Sequence, residues 1–204
     1  VQQIVADAPK DAVVEGPERV ILAFGDSLFA GYNLETDEGY PEELQRVLRA
    51  RGINAKVIDA GVSGDTTAAG LQRLDFVLDN LPEGVDLALV ELGGNDLLRG
   101  IAPDQTRANL TQIIEKVQAR RIPVVLMGMR APPNGGPQFQ QQFDAIYPAL
   151  AEKYGATLVP FFMQPLAEDP SLLLDDHIHP TAQGVKAMVA AQVDTIVGAL
   201  PAEK

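Results

Sequence analysis

Five short apolar runs, nearly continuous and rich in β-branched residues, alternate with longer stretches of helical period. This alternation restricts the folds open to the chain more than any other feature. The runs are Val20–Phe24 (VILAF), Lys56–Ala60 (KVIDA), Val85–Leu92 (VDLALVEL), Pro123–Met129 (PVVLMGM) and Ala156–Phe161 (ATLVPF). Runs of this kind suit strands covered on both faces. Between them, Leu44/Val47/Leu48, Leu110/Ile113/Ile114/Val117 and Val185/Met188/Val189/Ile196/Val197/Leu200 follow i, i+3, i+4 spacing, each the apolar stripe of a surface helix. Tyr40-Pro41, Ala102-Pro103 and His179-Pro180 signal helix starts, because the first helical turn has no internal use for the amide hydrogen that proline lacks. Strand–helix alternation repeated five times predicts an α/β fold, a three-layer α/β/α sandwich around a five-stranded parallel sheet. Pro148 should kink or split the helix it falls in. The Pro/Gly-rich stretch Ala131–Pro137 (APPNGGP) reads as a mobile loop after the fourth strand.

A chain of 204 residues is long enough for one domain with a core of its own. That domain is expected over residues 18–204. Residues 1–17 (VQQIVADAPKDAVVEGP) are polar, contain proline and lack any period, so they read as a flexible linker left by processing or trimming. The absence of cysteine removes disulfides and thiolate metal sites, and leaves the redox compartment open. Sixteen basic against 28 acidic residues give a net charge of −12 with no Lys/Arg cluster, which weighs against nucleic acid or an anionic membrane as partner. No apolar run approaches the ~20 residues that span a bilayer, so stable membrane insertion is not expected. A monomer acting on a small molecule is the expectation.

In open α/β sheets, ligands bind beyond the carboxyl ends of the strands. The informative residues are therefore those just after each run: Gly25-Asp26-Ser27-Leu28, then Gly61-Val62-Ser63-Gly64-Asp65-Thr66-Thr67, then Gly93-Gly94-Asn95-Asp96, and finally Asp175-Asp176-His177-Ile178-His179-Pro180. These segments contain the parts of an acyl-transfer site. A serine hydroxyl is a poor nucleophile and needs an imidazole base oriented by a carboxylate. Ser27 is the candidate nucleophile, His179 the base and Asp176 its orienting partner. The oxyanion of the tetrahedral intermediate needs donors, and the Ser27 amide, the Gly64 amide and the Asn95 side chain can supply them.

Structural roles compete with each of these assignments. Ser27 could cap a helix, Gly64 could simply permit a turn, and Asn95 could bind its own loop. Asp26 and Asp96 read as braces for loop amides, and His177 as an exposed neighbour. The Asp175–His179 cluster also offers oxygen and imidazole ligands, as a metal-dependent phosphoesterase would. Such an enzyme would need further ligands after other strands, and the chain has two histidines in all. No metal is expected.

Gly25-Asp26-Ser27-Leu28, Gly64, Gly93-Gly94-Asn95-Asp96 and Asp176-x-x-His179 together resemble, in order and approximate spacing, the blocks of the SGNH (GDSL-type) hydrolases. The resemblance runs from about Val20 to Leu200. Ser63–Thr67, Leu92–Asp96 and Pro160-Phe161-Phe162-Met163 look like the bacterial thioesterase/lysophospholipase/arylesterase branch. The resemblance implies a flavodoxin-like sheet and hydrolysis of esters or thioesters through an acyl-enzyme, with no metal or cofactor. Leu28, Leu97, Leu98 and Pro133 are the candidates for an apolar substrate pocket, suited to short or medium acyl esters, thioesters, aryl esters or lysophospholipids. A carbohydrate esterase of the same family is an alternative, poorly matched to a chain without tryptophan. A non-catalytic binding module on the same fold is another. A periplasmic or secreted location is expected, with the cytoplasm as the alternative.

Overall fold

The computed structural model describes residue 9 and residues 12–203. Five strands, β1 (Arg19–Gly25), β2 (Ala55–Gly61), β3 (Val85–Glu91), β4 (Val124–Met127) and β5 (Thr157–Val159), form one parallel sheet in the order β2-β1-β3-β4-β5. This is the flavodoxin-like order, with the switch point between β1 and β3. Every residue of β1 and β4 is buried, as the continuous apolar runs require. Strand β2 departs from that pattern: Lys56 and Asp59 face solvent. It is an edge strand, and its charged residues disfavour pairing with another chain. Strand β5 stops at Val159 because Pro160 has no amide hydrogen for the ladder.

Helices α1 (Ser27–Ala30), α2 (Tyr40–Ala50), α3 (Thr67–Asp79), α4 (Gly94–Leu98) and α5 (Pro103–Ala119) intervene between β1 and β4. Helices α6 (Pro137–Asp144) and α7 (Ile146–Tyr154) precede β5, and α8 (Gln164–Glu168) and α9 (Ala182–Ala199) follow it. Helices α2 and α9 pack together, as do α3 and α5, giving the layers on either side of the sheet. The helical stretch containing Pro148 is indeed split, between α6 and α7 at Ala145. Pro148 has no N–H to offer the Asp144 carbonyl, so the ladder breaks there. Pro41 and Pro103 sit in first turns as expected, but Pro180 does not. It forms a bridge with Leu173, and Thr181 caps α9 by accepting the Gly184 amide (3.1 Å).

Of the segment read as a linker, residues 1–8, 10 and 11 lie outside the described residues. In the remainder, Arg49 Nη1 donates to the Ala12 carbonyl (2.8 Å) and Asn54 Nδ2 to the Gly16 carbonyl (2.9 Å).

Two packing features aim the sheet's carboxyl edge. Phe29 on α1, Tyr40 and Phe162 form an aromatic cluster with ring centroids 5.1–5.7 Å apart. Gln192 ties the cluster to α9, accepting from the Tyr40 hydroxyl (2.6 Å) and donating to the Phe162 carbonyl (2.8 Å). At the end of β2, Gly61 lets α1 approach: a Cβ there would stand 2.5 Å from the Ala30 nitrogen and 2.8 Å from the Asp26 carbonyl. Both neighbours are backbone, so neither can swing aside. Gly61→Ala should lower stability by about 1–3 kcal/mol and also reduce turnover, because Asp26 and Ala30 bracket Ser27. Urea unfolding together with ester kinetics checks both effects.

Candidate active site

The carboxyl ends of β1 and β3 carry the two polar loops that face each other across the switch point. After β1, Asp26 caps α1, its Oδ1 accepting the Leu28 amide (3.0 Å), which leaves Ser27 as the first helical residue rather than the cap. After β3, Gly93 turns the chain with φ +121°, a conformation that favours glycine. The Tyr147 hydroxyl, donating to the Leu92 carbonyl (2.7 Å), occupies the space a Cβ would need. Buried Asp96 pins α4 by accepting from the Thr67 amide (2.8 Å), the Thr67 hydroxyl (2.6 Å) and the Thr106 hydroxyl (2.7 Å). The brace role read from sequence is what the geometry gives.

The fourth segment folds back before α9. The Leu174 amide donates to the His179 carbonyl (2.7 Å), and His177 at the turn takes a left-handed φ of 58°. Asp176 Oδ1 accepts the Ile178 and His179 amides (2.9 Å each), while its Oδ2 lies 2.6 Å from His179 Nδ1. His179 Nε2 lies 2.8 Å from Ser27 Oγ. The fold thus lines up Ser27, His179 and Asp176 at hydrogen-bonding distances. The His179 amide, with the imidazole as a further partner, holds the Asp176 carboxyl down at about 2. Asp176 is therefore ionised throughout the neutral range.

Of the expected oxyanion donors, the Ser27 and Gly64 amides have no acceptor among the described residues. Gly64 is exposed with φ +86°, and its carbonyl accepts from Arg99 (3.1 Å). Asn95 differs from the simple expectation. Its Nδ2 donates both to the Asp65 carbonyl (2.9 Å) and to Asp26 Oδ2 (3.2 Å), so both of its hydrogens are engaged.

Three supporting residues escape a motif reading. Arg73 on α3 joins the loops after β1 and β2, donating to Asp65 Oδ2 (2.6 Å) and the Gly25 carbonyl (2.8 Å). The Tyr32 ring lies 4.4 Å from the His179 ring. Fully buried Glu91 accepts the Asp26 amide on Oε2 (3.1 Å), beneath the loop that carries Ser27. Burial raises Asp26 to about 6, and burial plus the adjacent Asp26 carboxyl raises Glu91 well above the ordinary carboxylate range.

A cleft of about 500 Å³ opens over Ser27 and His179. Leu28, Leu97 and Leu98 line it as expected, with Met129, Met163 and Ile178 adding apolar wall. Pro133 does not line it; Pro132 and Asn134 do. Pro133 begins a single 3₁₀ turn, in which successive side chains point about 120° apart. Arg130 and Asn134 were also unforeseen, although they follow β4 just as the motif residues follow β1 and β3.

Residues 23–187 match the GDSL-like Lipase/Acylhydrolase family. The chain belongs to this family. It is 39% identical over 162 residues to Esterase TesA of Pseudomonas aeruginosa, a match covering 79% of this chain and 80% of that protein. It is 41% identical over 161 residues to thioesterase 1/protease 1/lysophospholipase L1 of Escherichia coli, covering 78% and 74%. Among solved structures, AlinE4, an SGNH-hydrolase family esterase, shares 60% identity with a TM-score of 0.78 over 92% of this chain and all of that one.

The buried carboxyls give a signed pH effect. A carboxyl whose folded pKa is raised favours the fold when protonated; that contribution is complete below the unfolded value of ~4.3 and fades as pH rises toward the folded value. Glu91→Gln keeps an acceptor for the Asp26 amide but cannot ionise. The variant's melting temperature should therefore rise relative to wild type as pH increases above the ordinary carboxylate range. A difference independent of pH would show that Glu91 ionises without cost in the fold.

Proposed function

We propose that the protein is a serine hydrolase that cleaves carboxylic esters and thioesters through an acyl-enzyme. The observation that carries this reading is the unbroken path from Ser27 Oγ to His179 Nε2 (2.8 Å) and from His179 Nδ1 to Asp176 Oδ2 (2.6 Å). In this reading His179 takes the Ser27 proton as Oγ attacks the carbonyl carbon, and ionised Asp176 stabilises the imidazolium. The oxyanion forms against the Ser27 and Gly64 amides, and the Asn95 side chain turns one N–H toward it. The bond given up is the longer one, to Asp26, so the oxyanion replaces a carboxylate as acceptor. His179 then hands its proton to the departing oxygen or sulfur. Water, deprotonated by the same imidazole, releases the acid and restores Ser27.

The substrate follows from the cleft. Leu28, Leu97, Leu98, Met129, Met163 and Ile178 favour an apolar acyl or aryl group. Short to medium acyl esters, aryl esters, thioesters and lysophospholipids all meet that requirement, and the names of the relatives agree with the class. Among the described residues no helix is long and apolar enough to cross a membrane. The same reading has the protein act as a monomer, outside the cytoplasm; sedimentation and cell fractionation test those two points.

Hydrolysis of a p-nitrophenyl acyl series tests the mechanism. Ser27→Ala should abolish turnover, and Asn95→Ala should lower kcat by ~100–1,000-fold. Wild-type-like activity in Ser27→Ala would refute the serine mechanism. Leu97→Asp should shift the chain-length preference toward shorter acyl groups; an unchanged preference would remove Leu97 from the pocket.

A further inference from the structure

The apolar wall of the cleft is interrupted by one cationic side chain besides its histidines, Arg130. Its neighbours in the fold leave it uncommitted. Arg19, Arg46, Arg51, Arg73 and Arg120 each pair with a carboxylate, and Arg49 and Arg99 donate to backbone carbonyls. The side chains of Arg107 and Arg121 also lack such partners among the described residues, but neither residue lines the cleft. Arg130 has no ion pair or hydrogen bond among the described residues; its contact is with the Phe161 ring, 5.3 Å from the guanidinium carbon to the centroid. Lying over an aromatic face restrains the guanidinium while leaving its N–H groups available. Arg130 is exposed at the edge of the cleft with no acidic partner among the described residues, which leaves its charge available to a bound anion in a chain with 28 acidic residues against 16 basic ones. The net charge of −12 would otherwise repel an anionic substrate.

We propose that Arg130 recognises an anionic group, carboxylate or phosphate, carried by the substrate at a distance from its scissile carbonyl. The inference rests on the ester-hydrolase reading above and narrows its substrate class. A guanidinium fork matches the oxygens of either anion. Arg130 follows β4, two strands from β1 in the sheet. At the usual strand spacing that is about 10 Å from the end that carries Ser27. An acyl chain of medium length ending in a carboxylate can span this distance, and so can a glycerol phosphate leaving group. The preferred substrate is then an amphiphile, with an apolar stem along Leu97, Leu98 and Met163 and a negative tip at Arg130.

The test is a ratio of kcat/KM values within matched pairs. One pair sets p-nitrophenyl monoesters of adipic and suberic acid against p-nitrophenyl hexanoate and octanoate, placing the charge on the acyl side. The other sets a monoacylglycerol phosphate against the monoacylglycerol, placing it on the leaving group. In Arg130→Gln the anionic-to-neutral ratio should fall about tenfold or more in at least one pair, chiefly through KM. Arg130→Lys should recover part of the loss, since it restores charge without the planar fork. The pair that responds identifies which end of the substrate bears the anion. A change below about twofold in both pairs, judged against the same tenfold expectation, overturns the proposal while leaving the ester-hydrolase reading intact. Failure of the wild-type protein to hydrolyse the neutral esters overturns both.

Discussion

Pairing of β1 with β2 on one side and β3 on the other is the constraint on which the rest of the structure depends. Gly25, the last residue of β1, is in register with Gly61 on β2 and Glu91 on β3. All three strands therefore end at one level, and the chain leaves them in different directions because the strand order reverses there. The cleft is a consequence of that reversal, since no helix can cover the edge where connections part to opposite faces. Ser27 stands one residue beyond Asp26 at this point, and Asn95 arrives from the neighbouring strand. The small residues matter as much as the reactive ones: a Cβ at Gly25 would stand 2.6 Å from Glu91 Oε2, so the buried carboxyl depends on that glycine.

The site is built largely from backbone amides and buried carboxyls, and these act in opposite electrostatic senses. The Ser27 and Gly64 amides, which have no acceptor among the described residues, offer partial positive charge. Asp26, Glu91 and Asp96 lie behind them, all buried. Negative charge so close would oppose the oxyanion, and the fold limits it by different means. Asp96 receives three donors, which disperse its charge. Burial raises both Asp26 and Glu91, with the Asp26 carboxyl raising Glu91 further, and this favours their neutral forms. The Asn95 amide is held in place by Asp26 and the Asp65 carbonyl.

Much of this was readable beforehand, for identifiable reasons. Strands covered on both faces leave unbroken apolar runs, so β1 and β3 were plain; β2 was legible despite being an edge because its charged residues are only two. Ser27, Asn95, Asp176 and His179 were legible because each follows an element end within a short motif. Glu91 was hidden because it closes an apolar run and looks like the polar end of a strand, whereas it is fully buried. Arg73 and Tyr32 lie in stretches whose local pattern is ordinary. Their roles depend on which residues they meet, not on what precedes or follows them in the chain. Pro133 was misplaced by one residue because the rotation of a 3₁₀ turn is not encoded in a run of prolines and glycines.

The sequence by itself determined the class of fold, the order of elements and the candidates for the reactive groups, because hydrophobic periodicity and short motifs are local properties of the chain. Only the tertiary structure decided that Ser27 and His179, 152 positions apart, meet at 2.8 Å. It alone showed that Asn95 is engaged on both hydrogens, that Glu91 supports the loop carrying Ser27, and that Arg130 lines the cleft without an ion pair among the described residues. Distances between side chains on different strands depend on register, twist and the packing of helices behind the sheet. Those are set by contacts summed over the whole core, and no short segment of the chain contains them.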